Sequence, residues 1–311
     1  MSRAAGELGG VRASPNIWAH PEIYEWENLA FDRHRRIEET IGALRPYAEA
    51  HLLDIGCGTG FHLPHFAERG ARVVGVEPHP PLARLARARL ARTHHPATPP
   101  ASLAPDPPDP GGRSPDAPDA PDADGGSLSC AGRCGGRSPD DAATPDPGTT
   151  DADGPGAGSP SATPRPEHSH RPTVVVAAAQ ALPLADASVD IVHARWAYFF
   201  GPGCEPGLRE IARVARPGAV AVIVDNDATT STFGAWFARF HPAYDPVAVE
   251  RFWRRAGFSR IPLTLAWECR SEAEFAQVVG IEFAPDAAAA ILAEHPGPSV
   301  DYAVNLWWRR F

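Results

Sequence analysis

An acidic residue and three alternating glycines, Asp54, Gly56, Gly58 and Gly60, form the segment with the clearest chemical meaning in the chain. Glycine lacks a Cβ atom, so a glycine-rich turn bends sharply and lets a ligand approach the backbone closely. A dinucleotide-binding turn has the spacing G-x-G-x-x-G, and its third glycine would fall here at Phe61. The alternating spacing therefore favours a ligand that has no pyrophosphate group.

A second acidic residue, Glu77, ends the apolar run 71–77. In dinucleotide-binding folds, an acidic residue about 20 positions after the glycine turn binds the ribose hydroxyls. Glu77 stands at a similar offset, so we expect it to bind a ribose; the alternative is a solvated strand end. Asp54 either stabilises the turn through local backbone amides or meets an ammonium group of the ligand.

Short apolar runs alternate with helical patterns along the chain, which is typical of a parallel sheet with helices on both faces. The predicted buried strands are 51–56, 71–77, 173–178, 189–194 and 219–226. Helical patterns follow at 61–70, 80–92 and 205–215. Two late segments, 260–271 and 300–311, are predicted to close one edge of the sheet as antiparallel strands.

Side chains that follow the fourth and fifth strands are candidates for a second binding region, because ligands of such sheets bind at the carboxyl ends of the strands. They are His193, Trp196, Tyr198, Phe199, Phe200, Asp225, Asn226 and Asp227. We single out four as substrate-pocket candidates: His193, Trp196, Tyr198 and Asn226. The aromatic rings suit a flat or apolar ligand, and packing in the core is an equal alternative. His193 is interpreted as a core histidine rather than a base, and no catalytic residue is assigned.

The middle of the chain, residues 93–172, differs in composition from its flanks. Proline, aspartate and glycine dominate it, and aromatic or branched apolar residues are almost missing. Such a segment buries too little surface to offset its ordering entropy, so we predict a disordered insertion. The flanks, 16–92 and 173–311, are predicted to form a single domain after a flexible N terminus, 1–15. The insertion is either a tether for a partner or a tolerated surface loop.

Charge and cysteine content narrow the classes of function. The net charge is -9, and about seven of these negative charges lie within the insertion; we expect no nucleic-acid or membrane partner. Five scattered cysteines indicate no disulfide framework. Cys130 and Cys134 lack the further ligands of a zinc site, so no metal is predicted.

The sequence shows no leader pattern and no apolar run of the ~18 residues that span a membrane. We therefore expect a cytoplasmic protein, and its oligomeric state is left open.

Three blocks, in this order, are LLDIGCGTGFHLPHFAERGARVVGVEPHPPLARLA, AQALPLADASVDIVHARWAYFF and LREIARVARPGAVAVIVD. Together they resemble the class I S-adenosylmethionine-dependent methyltransferases, in particular the type 11, ubiquinone-biosynthesis-methyltransferase-like branch. The resemblance implies an α/β, Rossmann-like fold: seven strands, mostly parallel, with helices on both faces and an antiparallel strand at one edge. It also implies S-adenosylmethionine as the cofactor and direct displacement of its methyl group onto an acceptor.

The resemblance assigns cofactor binding to Asp54, Gly56, Gly58, Gly60, Glu77, Ala179, Gln180 and Ala194. The family often has an aspartate beside the adenine where this chain has Ala178, so backbone amides or Gln180 would hold the adenine instead. The chain shows no basic stripe and no extra recognition domain, and we expect a small-molecule acceptor. Two alternatives remain: a non-catalytic protein that binds the cofactor or its demethylated product, and a nicotinamide-dependent oxidoreductase, which the glycine spacing disfavours.

Overall fold

The computed structural model describes residue 11 and residues 13–93, 171–198 and 201–311. Several predicted features therefore lie outside the described residues: the predicted insertion apart from residues 93, 171 and 172, its cysteine pair, most of the predicted flexible N terminus, and both Phe199 and Phe200. Within the described ranges, no helix combines the length and the apolar character that crossing a membrane requires.

The described residues form ten helices and seven strands. The helices are α1 (Pro15–Ala19), α2 (Pro21–Ala30), α3 (Arg36–Leu44), α4 (Leu63–Glu68), α5 (Pro80–Thr93), α6 (Glu205–Val214), α7 (Thr232–Phe240), α8 (Pro246–Arg255), α9 (Glu272–Glu282) and α10 (Pro285–Glu294). The strands are β1 (His51–Ile55), β2 (Arg72–Val76), β3 (Thr173–Val175), β4 (Val189–Arg195), β5 (Ala215–Asn226), β6 (Ser259–Glu268) and β7 (Ser299–Arg310).

The seven strands form one sheet in the order β3-β2-β1-β4-β5-β7-β6. All pairs from β3 to β5 are parallel, whereas β7 is antiparallel to both of its neighbours. The predicted mostly parallel sheet with an antiparallel strand at one edge is confirmed, with β6 as the outermost strand. The strand order reverses between β1 and β4, and ligands of open α/β sheets bind in the crevice at such a switch point.

Helices cover both faces of the sheet, as predicted. Side chains alternate along β5. Val222 and Val224 belong to the core cluster that also contains residues of α3, α4, α5, α7, α9 and α10, whereas Ala221 and Ile223 belong to the cluster that contains residues of α6 and α8. Strand side chains point alternately to the two faces, so a strand buried on both sides must be apolar at every position. This requirement explains the continuous apolar runs of the sequence.

Two features differ from the sequence-based prediction. The helices before β1 and those between β5 and β7 were not predicted, because their apolar residues are set by packing against the sheet. The turn Arg216-Pro217-Gly218 lies inside β5 instead of preceding it. Gly218 adopts φ +84 and donates its N–H to the carbonyl of Phe311 at 2.7 Å, which continues the contact with the end of β7 through the turn.

The insertion connects the end of α5 to the start of β3, two elements that contact each other directly. Arg87 on α5 donates through Nε and Nη2 to the carbonyl oxygen of Val174 on β3, at 3.0 and 2.9 Å. Strand β3 pairs in parallel with β2, completing a β–α–β unit whose helix-to-strand connection ordinarily needs 2–6 residues. A short connection is therefore sufficient at this point of the fold.

We expect the fold to survive replacement of residues 99–167 by a glycine–serine linker of about ten residues, because α5 and β3 contact each other without the replaced segment. The thermal unfolding midpoint, followed by circular dichroism, should stay within about 3 °C of that of the full chain. A large drop, or loss of cooperative unfolding, would show that the segment belongs to the folded core. Arg87→Met removes the hydrogen bonds between α5 and β3. The drop in the unfolding midpoint that it causes, in the full chain and in the shortened chain, measures the contribution of that contact in each protein.

Candidate functional site

The glycine loop, residues 56–60, leaves the carboxyl end of β1 in a backbone conformation that side chains rarely adopt. Gly56, Gly58 and Gly60 have φ angles of +71, +56 and +74. A Cβ atom added at Gly56 would lie 2.8 Å from the Cβ of Ala197, and one at Gly60 would lie 2.9 Å from the Cβ of Ala86. Glycine is required here both by the dihedral angles and by the close approach of neighbouring segments.

The backbone amides of this loop are bonded within the protein. The N–H groups of Gly56 and Cys57 both donate to the carbonyl of Val76, at 2.8 and 3.1 Å. The N–H of Gly58 donates to Oε2 of Glu77 at 2.9 Å. Phosphate-binding loops instead present free N–H groups at a helix N-terminus. The loop therefore suits a ligand without a pyrophosphate group, as its glycine spacing predicts, and does not favour a nicotinamide dinucleotide.

Glu77 follows β2 and is held at both carboxylate oxygens. Oε2 accepts the N–H of Gly58, and Oε1 accepts the N–H of His79 at 2.8 Å. Burial raises the pKa of Glu77 to about 7, although the two backbone donors lower it. Each carboxylate oxygen has a second lone pair, and Glu77 lines the large cavity described below. Its carboxylate can therefore accept ligand hydroxyl groups while it remains fixed to the loop.

Asp54 and His193 are register partners on the adjacent strands β1 and β4. His193 Nδ1 lies 2.7 Å from Asp54 Oδ1, and both side chains are buried. His193 thus has a fixed polar partner, which agrees with its interpretation as a positioned core histidine. The pair places one carboxylate directly below the glycine loop.

A cavity of about 800 Å³ opens at the carboxyl ends of β1, β2, β4 and β5, within the range typical of small-molecule sites. Ten of the twelve predicted site residues line it: Asp54, Gly56, Gly58, Glu77, Ala179, Gln180, His193, Trp196, Tyr198 and Asn226. The other two do not line it. Gly60 packs against α5, and Ala194 lies on the opposite face of β4, in the core cluster that contains Ile55.

Three side chains fix the cavity wall above β4 and β5. Asn226 Oδ1 accepts hydrogen bonds from Nε1 of Trp196 at 2.7 Å and from the hydroxyl of Tyr302 at 2.6 Å. Trp196 has φ +48, an uncommon conformation for a bulky residue that costs about 1–3 kcal/mol and is typically retained at functional sites. The two aromatic rings are therefore held in defined positions by one amide.

Arg195 contributes the positive charge of the cavity wall. Its guanidinium lies 4.6 Å from the ring centroid of Phe31 and 4.5 Å from that of Trp196. Its Nη1 lies 2.9 Å from Nε2 of His62. Burial and the nearby guanidinium lower the pKa of His62 to about 4, so His62 is neutral at physiological pH and accepts a hydrogen bond from Arg195.

Helices α1, α2 and α9 form a cover over the cavity. Glu25 of α2 bonds to Thr59 in the glycine loop and to Arg89 of α5. Glu27 of α2 and Glu282 of α9 line the cavity, and neither was identified from the sequence. They are 255 positions apart (282 minus 27), so no local pattern connects them; only the packing of α2 against α9 does.

A second polar cluster, Glu38, His62 and His65, lies where α3 meets α4. Glu38 Oε1 lies 3.4 Å from His65 Nδ1 and 3.9 Å from His62 Nδ1, and its Oε2 lies 3.3 Å from Nε of Arg69. Burial raises the pKa of Glu38, but the two neighbouring histidines outweigh this effect, so the pKa lies well below its usual range. With Arg69 as counter-charge, the cluster is an ion-pair network that joins the two helices.

We expect Gly60→Ala to lower the free energy of unfolding by about 2–4 kcal/mol, since it combines left-handed strain with a clash against α5. Gly218→Ala is the matched control: Gly218 also has positive φ, but a Cβ there meets nothing within 4 Å, so about 1 kcal/mol is expected. Urea unfolding followed by circular dichroism measures both. Equal losses would mean that close packing at Gly60 is unimportant.

Comparison with known proteins agrees with this geometry. Two models described as a methyltransferase domain match the chain, one over residues 52–104 and the other over residues 159–223. No curated protein matches the chain. Among solved structures, the YcgJ protein from Bacillus subtilis is 12% identical, with 89% of this chain and 98% of that chain covered and a TM-score of 0.49. A SAM-dependent methyltransferase from Aquifex aeolicus is 12% identical, with 92% and 97% covered and a TM-score of 0.45.

The first matched range contains the glycine loop and Glu77, and the second contains β4 and most of β5. These are the segments that meet at the switch point of the sheet. Both ranges are similar to a methyltransferase domain, and S-adenosylmethionine is the cofactor that this similarity supports.

Proposed function

We propose that this protein transfers a methyl group from S-adenosylmethionine to a small molecule bound in the same cavity. The observation that carries the proposal is the continuity of the cavity. It extends from Glu77 and the glycine loop to Trp196, Asn226 and Glu282, at the far side of the switch point. A cofactor at the loop and an acceptor beside Trp196 would therefore share one space, as direct displacement requires.

The residues at the loop fit S-adenosylmethionine. Glu77 offers carboxylate oxygens to a ribose, and Ala179 and Gln180, which follow β3, line the cavity next to it. The loop amides are bonded internally and present no phosphate cradle. Asp54, although paired with His193, lines the cavity and is available to an ammonium group. The proposed cofactor contacts are thus a ribose at Glu77, an adenine at residues 179–180 and an amino-acid end near Asp54.

The enclosed acceptor end favours a small molecule over a macromolecule. Helices α1, α2 and α9 supply part of its wall, including Tyr24, Glu27 and Glu282. Such a cover excludes water and limits the size of an acceptor, while an extended nucleic acid or protein substrate needs an open surface.

S-adenosylmethionine supplies a methyl group on a sulfonium, which is already activated for displacement. The protein's own part is then to position the two reactants and to hold charge, rather than to form a covalent intermediate. Trp196 and Tyr302, both fixed by Asn226, set the acceptor orientation. The cover of α1 and α2, attached to the loop through Glu25 and Thr59, keeps water from the reacting atoms.

The direct test incubates the purified full chain with S-adenosylmethionine labelled in its methyl group and a library of small metabolites. We expect label to appear in at least one small molecule and S-adenosylhomocysteine to accumulate. Trp196→Ala should reduce turnover by about tenfold or more, because the acceptor loses its orienting ring. Tight binding of the cofactor with no transfer to any compound of the library would favour a non-catalytic binding protein.

The affinity for S-adenosylmethionine should depend on pH through Glu77. With a pKa of about 7, the carboxylate is mostly ionised at pH 8 and mostly protonated at pH 6. If binding requires the ionised form, the apparent Kd should rise by up to about tenfold between pH 8 and pH 6. Calorimetric titration at each pH measures the apparent Kd.

Glu77→Gln is the control, because it keeps the shape of the side chain and cannot ionise. The variant should bind more weakly and lack this component of the pH dependence. Titration of the ligand's own groups affects both proteins equally, so the difference between them isolates Glu77. Parallel pH profiles of the two proteins would contradict the proposed role of Glu77.

A further inference from the structure

Three carboxyl groups lie on the acceptor side of the cavity: Glu27, Asp225 and Glu282. Of these, Glu282 accepts a hydrogen bond from Asn16. Glu27 is 4% exposed, and its Oε2 has no hydrogen-bond partner in the described part of the chain. Asp225 is fully buried, and neither of its carboxylate oxygens has a partner among the described residues. Buried carboxyl groups without partners are unfavourable. Their presence in the wall of a cavity indicates a ligand that brings hydrogen-bond donors or positive charge.

The charge balance of the wall points the same way. Arg195 is the single arginine or lysine among the described residues that line the cavity. Its guanidinium packs on Phe31 and Trp196 and bonds to His62 through Nη1, while its Nε and Nη2 have no hydrogen-bond partner among the described residues. Burial, and then mutual repulsion with Glu282, raises the pKa of Glu27 well above its usual value. The acceptor side of the wall thus carries three carboxyl groups and one guanidinium, and an amine would bring hydrogen-bond donors and a positive charge to the carboxyl groups.

Aromatic rings lie next to two of these carboxyl groups. Glu282, Glu27, Tyr24 and Arg195 are the charged and titratable neighbours of Tyr302. The rings of Trp196 and Tyr302 are 6.3 Å apart between centroids, and both are fixed by Asn226. The faces of aromatic rings attract cations, most strongly where water is excluded. Rings and carboxylates in one wall form the chemical surroundings that a protonated amine requires.

We propose that the methyl acceptor is an amine whose nitrogen binds between Glu27 and Glu282, beside Tyr24 and Tyr302. This proposal rests on the proposed function, since it names the substrate class of the same site. An acceptor that carries a carboxylate or phosphate at this position would be repelled by both glutamates. A carbon acceptor would offer Glu27 Oε2 no hydrogen-bond donor, and an alcohol would offer a donor without positive charge.

Glu27 or Glu282 can accept the proton that an ammonium must lose before its nitrogen is methylated. An ammonium first gives one proton to an ionised carboxylate of Glu27 or Glu282, which frees the lone pair on nitrogen. That lone pair forms the new N–C bond, while the electrons of the donor's C–S bond go to sulfur and neutralise the sulfonium. The product leaves as an N-methylammonium, and the carboxyl group returns its proton to solvent. No oxidant, metal or further reactant is needed.

The test compares ligands of nearly equal shape on the full chain saturated with S-adenosylhomocysteine. Two series serve as probes: 2-phenylethylamine, 2-phenylethanol and 3-phenylpropanoate; and butylamine, butanol and pentanoate. We expect the amine of at least one series to bind about tenfold or more tightly than its alcohol and its acid, because a charge-assisted hydrogen bond is gained. Calorimetric titration measures the Kd values.

Glu27→Gln and Glu282→Gln keep side-chain shape and should each remove most of the amine preference. Glu22→Gln and Glu272→Gln are matched controls, since these glutamates are exposed on the same two helices, and should retain it. S-adenosylmethionine affinity should stay within about twofold in all four variants.

Three results would overturn the proposal: no amine binds to protein that binds S-adenosylmethionine, amines show no advantage over their analogues, or Glu27→Gln and Glu282→Gln weaken the cofactor instead. The last result would place both carboxyl groups in the cofactor site. Failure of the unaltered protein to bind S-adenosylmethionine is a separate outcome, which overturns the proposed function and this proposal together.

Discussion

The hydrogen bond from the Gly58 amide to the Glu77 carboxylate is the contact on which the site depends, because it joins the carboxyl ends of β1 and β2. It can form only if the loop turns back over the sheet, and three glycines with positive φ allow that turn. The same turn brings the loop into contact with α5 at Ala86 and with Ala197 after β4. This hydrogen bond therefore sets the position of the loop and fixes the carboxylate of Glu77, whose pKa is raised by burial.

Most polar groups at the switch point are partnered, and the exceptions are concentrated on one side. On the cofactor side, Asp54 has His193 and Glu77 has two backbone amides. On the acceptor side, Glu27, Asp225, Arg195 and Tyr198 have polar atoms without hydrogen-bond partners among the described residues. Because buried polar groups in folded proteins are nearly always satisfied, this contrast is the observation from which the proposed acceptor is argued.

The cover over the cavity is assembled from distant parts of the chain. Helices α1 and α2 precede the sheet, α9 follows β6, and the three helices pack on one another. These helices place the titratable side chains of Tyr24, Glu27 and Glu282 in the wall at the proposed acceptor end. The sheet therefore supplies the glycine loop and Glu77, while the cover supplies Tyr24, Glu27 and Glu282.

The sequence by itself determined the sheet and the cofactor loop. Apolar runs that end at Gly56 and Glu77, with helical patterns between them, predict parallel strands and place the loop at their carboxyl ends, since these signals are local and each is set by backbone geometry. Tertiary structure alone decided which side chains meet. It placed Ala194 in the core rather than at the cavity, because alternate strand residues face opposite sides. It also brought Glu27 to Glu282 across 255 positions of chain, a contact that comes from helix packing and has no local signature in the sequence.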